Sequence, residues 1–262
     1  MFSLPRQAVA ASCVICLCVS GIGLLQFPRM RKLLNSKNNA SIEALQREIQ
    51  AEKTSLNLLK QLPSFGYSNI IGNWVYLRFL QYFGDDEARA KTGYSLSPEY
   101  FEVILQRDPR FLNAYLGLST STSLYAGMPE RSVKLTAKGL KSLSPSVPER
   151  SYYVWRYKGT DELLFLGDSR AAKESFTMAA DWADKHSDAE SKQIASISQQ
   201  TANFLARNPQ SRFAQIATWT MVLNNQVDEK TRKIALSKIE ALGAKVVTLP
   251  DGSTKIELPK KD

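Results

Sequence analysis

Apolar residues recur along most of the chain with the three-to-four-residue spacing of amphipathic helices, and no convincing alternating strand pattern occurs before residue 245. Gly and Pro separate these periodic segments at long intervals, and short connections between helices are typical of antiparallel helical hairpins. The pattern therefore predicts an all-α fold, with helices over roughly residues 68–83, 97–107, 111–126, 129–143, 149–166, 169–185, 188–207, 210–224 and 228–242.

The N-terminal segment is the most apolar part of the chain. No charged residue lies between Arg6 and Arg29, and the run from Ala8 to Leu25 is apolar. A helix of this length, at about 1.5 Å per residue, would cross the hydrocarbon core of a bilayer. We predict a transmembrane anchor over residues 1–28, followed by a basic linker over residues 29–40. A cleaved signal peptide is the alternative, but its apolar core is usually shorter and ends at small residues.

Positive charge is concentrated beside this apolar segment. The chain has 34 Lys and Arg against 25 Asp and Glu, and residues 29–37 contain four of the cations and no acid. Because positive flanks prefer the cytoplasmic side, we expect the N-terminus outside and the folded domain in the cytoplasm, at the plasma membrane or an internal membrane such as the thylakoid. The pattern favours membrane contact through residues 8–27 and no nucleic-acid partner, with lipid or nucleic-acid binding by residues 29–37 as a weaker alternative.

Residues 41–63 predict a separate amphipathic helix that stops before Pro63. Two interpretations are open: a short coiled coil that forms a homodimer through residues 41–62, or a helix that packs on its own domain. Three heptads are short for a coiled coil, which favours the second interpretation. Glu52 is the one exception on an otherwise apolar heptad stripe, which consists of Ile42, Leu45, Ile49, Leu56 and Leu59.

A motif in the second half of the chain resembles a known repeat. The spacing G-x4-A-x3-F-x2-A is formed by Gly167, Ala172, Phe176 and Ala179. It is similar to the second half of a tetratricopeptide repeat (TPR), a helix-turn-helix unit of about 34 residues. Looser matches extend over residues 68–186, with extra residues between two helices at 85–98. The resemblance implies a TPR-like α-solenoid of antiparallel helix pairs over residues 64–243.

Residues 244–262 differ in kind from the helical part. Two β-prone runs, Val246 to Leu249 and Thr254 to Leu258, flank Pro250-Asp251-Gly252, which is a turn sequence. We predict a short β-hairpin or an extended tail. An isolated hairpin is marginally stable in water, so packing on the helices or mobility is favoured over pairing with a partner.

The chain offers few residues for catalysis. His186 is the single histidine, and the three cysteines, Cys13, Cys16 and Cys18, all lie in the apolar N-terminal segment. A zinc site, a Ser-His-Asp triad or a disulfide framework would need more of these residues in the folded part. The acids at 85–87 predict a solvated loop, and His186 is expected to be exposed near a helix end. We predict no enzyme, no cofactor and no metal.

Binding is better supported, because TPR-like arrays present side chains of their first helices on a concave face, and Tyr, Trp and Arg dominate interface energies. The predicted partner-binding groove comprises Arg78, Gln81, Asn113, Tyr115, Tyr153, Arg156 and Tyr157. The predicted function is a membrane-tethered scaffold or assembly factor that holds protein partners, membrane proteins or complexes, at the cytoplasmic face. A permanent accessory subunit of a large membrane complex is the alternative.

Overall fold

The computed structural model describes residues 14–27, 41–208, 211–224, 229–248 and 254–259. They are mostly helical and include one two-stranded sheet. The helices are α1 (residues 14–27), α2 (Ile42–Gln61), α3 (Ser68–Phe83), α4 (Asp86–Thr92), α5 (Ser97–Arg107), α6 (Leu112–Leu118), a π-helix (Ser119–Tyr125), α7 (Pro129–Leu140), α8 (Tyr152–Leu164), α9 (Ser169–Ala183), α10 (Ala189–Arg207), α11 (Arg212–Asn224) and α12 (Glu229–Ala241); the strands are β1 (Lys245–Thr248) and β2 (Thr254–Glu257).

The predicted transmembrane helix is contradicted. Among the described residues, no helix has both the length and the apolar character needed to cross a bilayer. The described part of the predicted anchor, residues 14–27, is the helix α1. The remainder of the predicted anchor and the basic linker over residues 29–40 lie outside the described residues.

Consecutive helices pack beside one another, as in an α-solenoid. The helix α5 lies against α2, α3 and α7, and α9 lies between α8 and α10. The largest core cluster joins α2, α3, α5 and α6, with fully buried Val75, Phe101, Ile104 and Leu118 among its members. On α2, the heptad residues Leu45, Ile49, Leu56 and Leu59 are buried or half-buried, whereas Ile42 is exposed. This favours the interpretation that α2 packs on its own domain.

The four residues that carry the TPR resemblance lie at the junction of α8 and α9. Gly167 has a φ of +66° in the connecting turn, a conformation that only glycine adopts without strain. Ala172, Phe176 and Ala179 are buried. The ring of Phe176 leaves only 3.2 Å to the position that a Cβ at Gly159 would take, so the helices approach closely there. These contacts agree with helical-hairpin packing, while membership of the TPR family stays a prediction.

Two local features of the fold differ from the sequence-based expectation. The segment at 85–98, expected to be an excursion, contains the short helix α4, which Asp85 caps by accepting a hydrogen bond from the Ala88 amide at 3.4 Å. Residues 119–125 form a π-helix where a continuous α-helix was expected, and the Ala126 amide donates to the Ser121 carbonyl at 3.0 Å. A π-helical turn contains an extra residue, and such turns are frequently found at functional sites.

The strands β1 and β2 form the predicted antiparallel pair. Lys245 is paired with Glu257 and Thr248 with Thr254. Val246 and Ile256 pack against the core cluster of α11 and α12. The hairpin therefore rests on the helices, which is one of the outcomes expected from its marginal stability alone. Its turn, at residues 249–253, lies outside the described residues.

Candidate functional site

A cleft opens between α2 and α3, above α5. We call it the α2–α3 cleft; its volume is about 530 Å³ and its walls are formed by Leu45, Glu48, Ile49, Ala51, Glu52, Ser55, Arg78, Gln81, Tyr82, Asp85, Arg89, Leu96 and Tyr100. Two predicted groove residues, Arg78 and Gln81, lie in it. The helix α2 is fixed at its start by Ser41, whose side chain accepts from the Ala44 amide at 3.3 Å. The polar residues that α2 contributes to the cleft are Glu48, Glu52 and Ser55.

The centre of the cleft is an ion pair between Glu52 and Arg78. Arg78 also donates to the Ser55 hydroxyl at 3.3 Å, and the Tyr100 hydroxyl donates to Glu52 at 2.6 Å. Burial, and next the hydrogen bond to Glu52, raise the pKa of Tyr100, so that its proton stays in place as the donor. From the sequence, Glu52 is only the exception on the apolar heptad stripe, and its ion pair with Arg78 is not predicted. The position of a charged residue on an apolar stripe is the sequence feature that could have indicated an ion-pair partner.

Arg89 forms one end of the same cleft and is only 6% exposed. Its guanidinium carbon lies 3.9 Å from the centroid of the Tyr82 ring. One terminal nitrogen donates to the Gly93 carbonyl at 3.4 Å, and the Nε atom has no acceptor among the described residues. A buried guanidinium keeps its charge and prefers planar acceptors, so this end of the cleft retains an unused donor.

An exposed apolar stripe runs along α3 next to the cleft. Ile70, Trp74 and Leu77 are spaced i, i+4 and i+7, and each is exposed, with Trp74 at 49%. We call these three residues the α3 apolar face. The opposite side of α3 is buried through Val75 and Phe79. The Arg78 guanidinium lies 4.6 Å from the Trp74 ring centroid, which links this face to the ion pair in the cleft.

More apolar side chains are exposed where α2 leads into α3. Leu58 and Leu62 are exposed near the end of α2, and Phe65 and Tyr67 are exposed in the connection that follows. Contiguous exposed apolar surface is uncommon on isolated domains and marks sites of interaction. The α2–α3 cleft and its apolar border therefore have the composition of a protein-binding surface, with Trp and Arg side by side.

The other predicted groove residues lie elsewhere. Asn113 is exposed on α6. Tyr115 is fully buried and donates to the Pro109 carbonyl at 2.6 Å. Its hydroxyl lies 2.0 Å from the position that a Cβ at Gly139 would take, so this glycine is required for the contact. The structure therefore places Tyr115 in the core and not in the predicted groove, and its side chain has no surface exposed to a partner.

The three predicted residues on α8 come together, but they face α10. The Tyr153 hydroxyl donates to Glu190 at 2.8 Å, and Arg156 donates to the Ser198 hydroxyl at 2.7 Å. Tyr157 is half-buried and stacks on Tyr153 with a centroid distance of 6.3 Å. These contacts hold α8 and α10 together. The predicted single groove is thus divided between the α2–α3 cleft, the α8–α10 contact, the surface and the core.

His186 has a structural contact. It is half-buried, not exposed as expected, and its Nε2 atom donates to the Pro145 carbonyl at 2.8 Å. Within the part of the chain that the structure describes, no group of His, Cys, Asp and Glu residues has an arrangement that could hold a metal ion.

A buried carboxylate lies where α8 meets the π-helix. Asp161 is 1% exposed and accepts hydrogen bonds from Ser119 at 2.6 Å, Ser123 at 2.8 Å and Ser132 at 2.6 Å. We call this group the serine-lined junction. Burial raises the pKa of Asp161 to about 6, although the three hydroxyls act in the opposite direction. Among the described residues, no Lys or Arg forms an ion pair with it. No local sequence pattern indicates this junction, because each of the three serines lies at least 29 residues from Asp161 along the chain.

Comparison with known proteins gives no match among protein-family models, curated proteins or solved structures. The fold and site define a class in structural terms: a predominantly helical protein, consistent with an α-solenoid, that carries a polar cleft bordered by exposed apolar side chains.

Proposed function

We propose that this protein is a scaffold that binds a protein partner through the α2–α3 cleft and the α3 apolar face. The observation that carries the proposal is the exposed Ile70–Trp74–Leu77 stripe, with Trp74 held in place by Arg78. Aromatic and arginine side chains that are ordered before binding lose little conformational freedom in the complex, which favours affinity.

The proposal places the scaffold at the cytoplasmic face of a membrane, where its partners are membrane proteins or complexes. The basic residues between positions 29 and 37 support contact with an anionic membrane surface of the kind found on the cytoplasmic leaflet. Leu17, Leu24 and Leu25 on α1 are exposed and add apolar surface near the same end of the chain. No step of the binding mechanism requires a helix that spans the bilayer.

Affinity purification tests the proposal. The tagged full chain and a Trp74→Ala/Leu77→Ala variant would be purified from gently solubilised cells, and the recovered proteins identified by mass spectrometry. We expect a specific partner with the unmodified chain and a loss of at least about tenfold with the variant, since two interface residues of this kind contribute more than about 1.4 kcal/mol. Circular dichroism checks that the variant is folded.

Ile197→Ala/Phe204→Ala is the matched control, because both residues are exposed apolar side chains on α10, which contributes no residue to the α2–α3 cleft or to the α3 apolar face. It should retain the partner. Equal recovery by all three proteins would overturn the role of α3, and absence of any specific partner would overturn the scaffold itself. Migration with one large complex in constant proportion would identify the alternative, a permanent accessory subunit.

A further inference from the structure

A second groove lies between α5 and α7 and shares no residue with the α2–α3 cleft. We call it the basic groove; its volume is about 560 Å³ and it is lined by Glu102, Gln106, Arg131, Lys134, Leu135, Ala137, Lys138 and Lys141. Four of these residues are cations and one is a carboxylate. By contrast, the walls of the α2–α3 cleft include two arginines and three acids. The two surfaces are therefore suited to different ligands.

The carboxylates of α5 are already engaged. Arg131 donates to Glu99 at 2.9 Å and to Glu102 at 2.8 Å, and Lys60 of α2 forms a second ion pair with Glu102. Burial alone would raise the pKa of Glu102, but the hydrogen bonds from Lys60 and Arg131 outweigh it and hold this pKa below its usual value. Glu102, the carboxylate that lines the groove, is therefore already paired with two cations.

Two lysines of α7 and Lys141, which caps its C-terminal end, form an exposed row without ion pairs among the described residues. Lys134, Lys138 and Lys141 are exposed, and none forms an ion pair with a carboxylate among the residues that the structure describes. Their i, i+4 and i+7 spacing puts them along one side of the helix over about 10 Å. A partner helix with acids at the same spacing would match them one to one.

Apolar side chains lie on both sides of the lysine row. Leu135 is half-buried on the side of α7 that carries Arg131, and Ala137 is half-buried on the other side of the row. Apolar contacts beside a row of cations fit an amphipathic helix whose acidic side faces the lysines. A flat lipid surface would not fill a concave groove, and a nucleic-acid backbone would leave these apolar side chains without a matching contact.

We infer that the basic groove binds an acidic amphipathic helix of a protein partner, with its carboxylates paired to Lys134, Lys138 and Lys141. The inference rests on the proposed function as a protein-binding scaffold, and it adds a separate surface and the chemistry of its ligand. Charge complementarity at the rim of an interface mainly raises the association rate and suppresses wrong partners, so binding should weaken as salt increases.

The test uses the full chain and a fluorescent synthetic helical peptide whose Glu residues repeat at i, i+4 and i+7 beside a stripe of Leu. Fluorescence anisotropy would give its affinity at low salt and at physiological salt. We expect saturable binding that a Lys134→Gln/Lys138→Gln/Lys141→Gln variant weakens by about tenfold. The control Lys53→Gln/Lys173→Gln/Lys185→Gln makes the same change in net charge at other exposed lysines and should bind as the unmodified chain does.

Three outcomes overturn the inference: equal affinity for the two triple variants, equal affinity for a peptide with Gln in place of every Glu, or lysine-row-dependent binding of phosphatidylserine vesicles or RNA without binding of the peptide. The failure of the proposed function is distinguished by the Trp74→Ala/Leu77→Ala variant, which should bind the peptide normally. If the Trp74→Ala/Leu77→Ala variant no longer binds the peptide and the lysine variant still does, the peptide binds at α3 and the inference about the basic groove is wrong.

Discussion

Two regions of this protein shift the pKa of a carboxyl group in opposite directions. At the basic groove, Glu102 is held by Lys60 and Arg131, and its pKa is lowered. At the serine-lined junction, Asp161 is held by hydroxyl groups alone, and its pKa is raised to about 6. Hydrogen-bonding dipoles stabilise a buried charge less than a cation does, so burial prevails only at the junction.

The two regions therefore respond to pH with opposite sign. The lowered pKa of Glu102 means that its contribution to stability is present above its ordinary pKa of 4.5 and is lost as pH falls through the folded-state pKa. The raised pKa of Asp161 means that the folded state binds the proton more tightly than the unfolded chain. Its contribution favours the folded state at low pH and is lost as pH rises through about 6.

Removing the acid at the junction should have the largest effect. Asp161→Ala leaves three buried serine hydroxyls without their acceptor and creates a small cavity, so we expect a loss of about 3 kcal/mol in the free energy of unfolding. Asp161→Asn keeps an acceptor of the same size and should lose about 1 kcal/mol. Urea unfolding measures both variants at neutral pH. An Asn variant as unstable as the Ala variant would show that the charge, and not the acceptor, is essential.

The pH dependence of Asp161 is the next largest effect. Between roughly pH 4.5 and pH 7, the free energy of unfolding of the unmodified chain should fall by about 2 kcal/mol relative to Asp161→Asn, since the Asn side chain does not titrate there. Parallel urea titrations of the two proteins isolate this residue from every other group. A difference that stays constant with pH would mean that Asp161 is already ionised throughout this range.

The smallest effect is expected at the basic groove. Glu102→Gln releases Lys60 and Arg131, which are partly exposed, so the stability should fall by only about 1 kcal/mol, and by less in 1 M NaCl. The same change should tighten binding of the acidic peptide by about threefold, because it removes a competing carboxylate. Glu174→Gln is the control, since its contact with Arg170 is fully on the surface. Weaker peptide binding by Glu102→Gln would contradict the charge argument.

Local periodicity predicted most helices because each one buries a stripe with helical spacing. The bounds of α3 and α5 agree with the prediction to the residue, since Gly84 follows one and Asp108-Pro109 the other. The π-helix was missed, because the pattern of STSTS fits an α-helix equally well. The short α4 was missed for a similar reason: its seven residues hold too few apolar positions to establish a period.

The candidate site was less predictable than the fold. Arg78 and Gln81 line the same cleft because both lie on α3, and the helical period fixes their relative direction. Whether Tyr115 is exposed depends on Gly139, in another helix, which makes room for its ring. The serine-lined junction likewise joins two segments more than 20 residues apart. Such arrangements follow from tertiary contacts, which one chain's local pattern does not encode.

The π-helix ties the length of one segment to the chemistry of another. A π-turn closes with one more residue than an α-turn, and this wider turn carries Ser119 and Ser123 towards Asp161. The two serines, four residues apart, therefore lie on the same side of the wider turn, and both hydroxyls reach the one carboxylate. An apolar residue at position 161 would leave these two hydroxyls and that of Ser132 without the acceptor that they share, so the chemistry of α8 decides whether the polar π-turn has a partner.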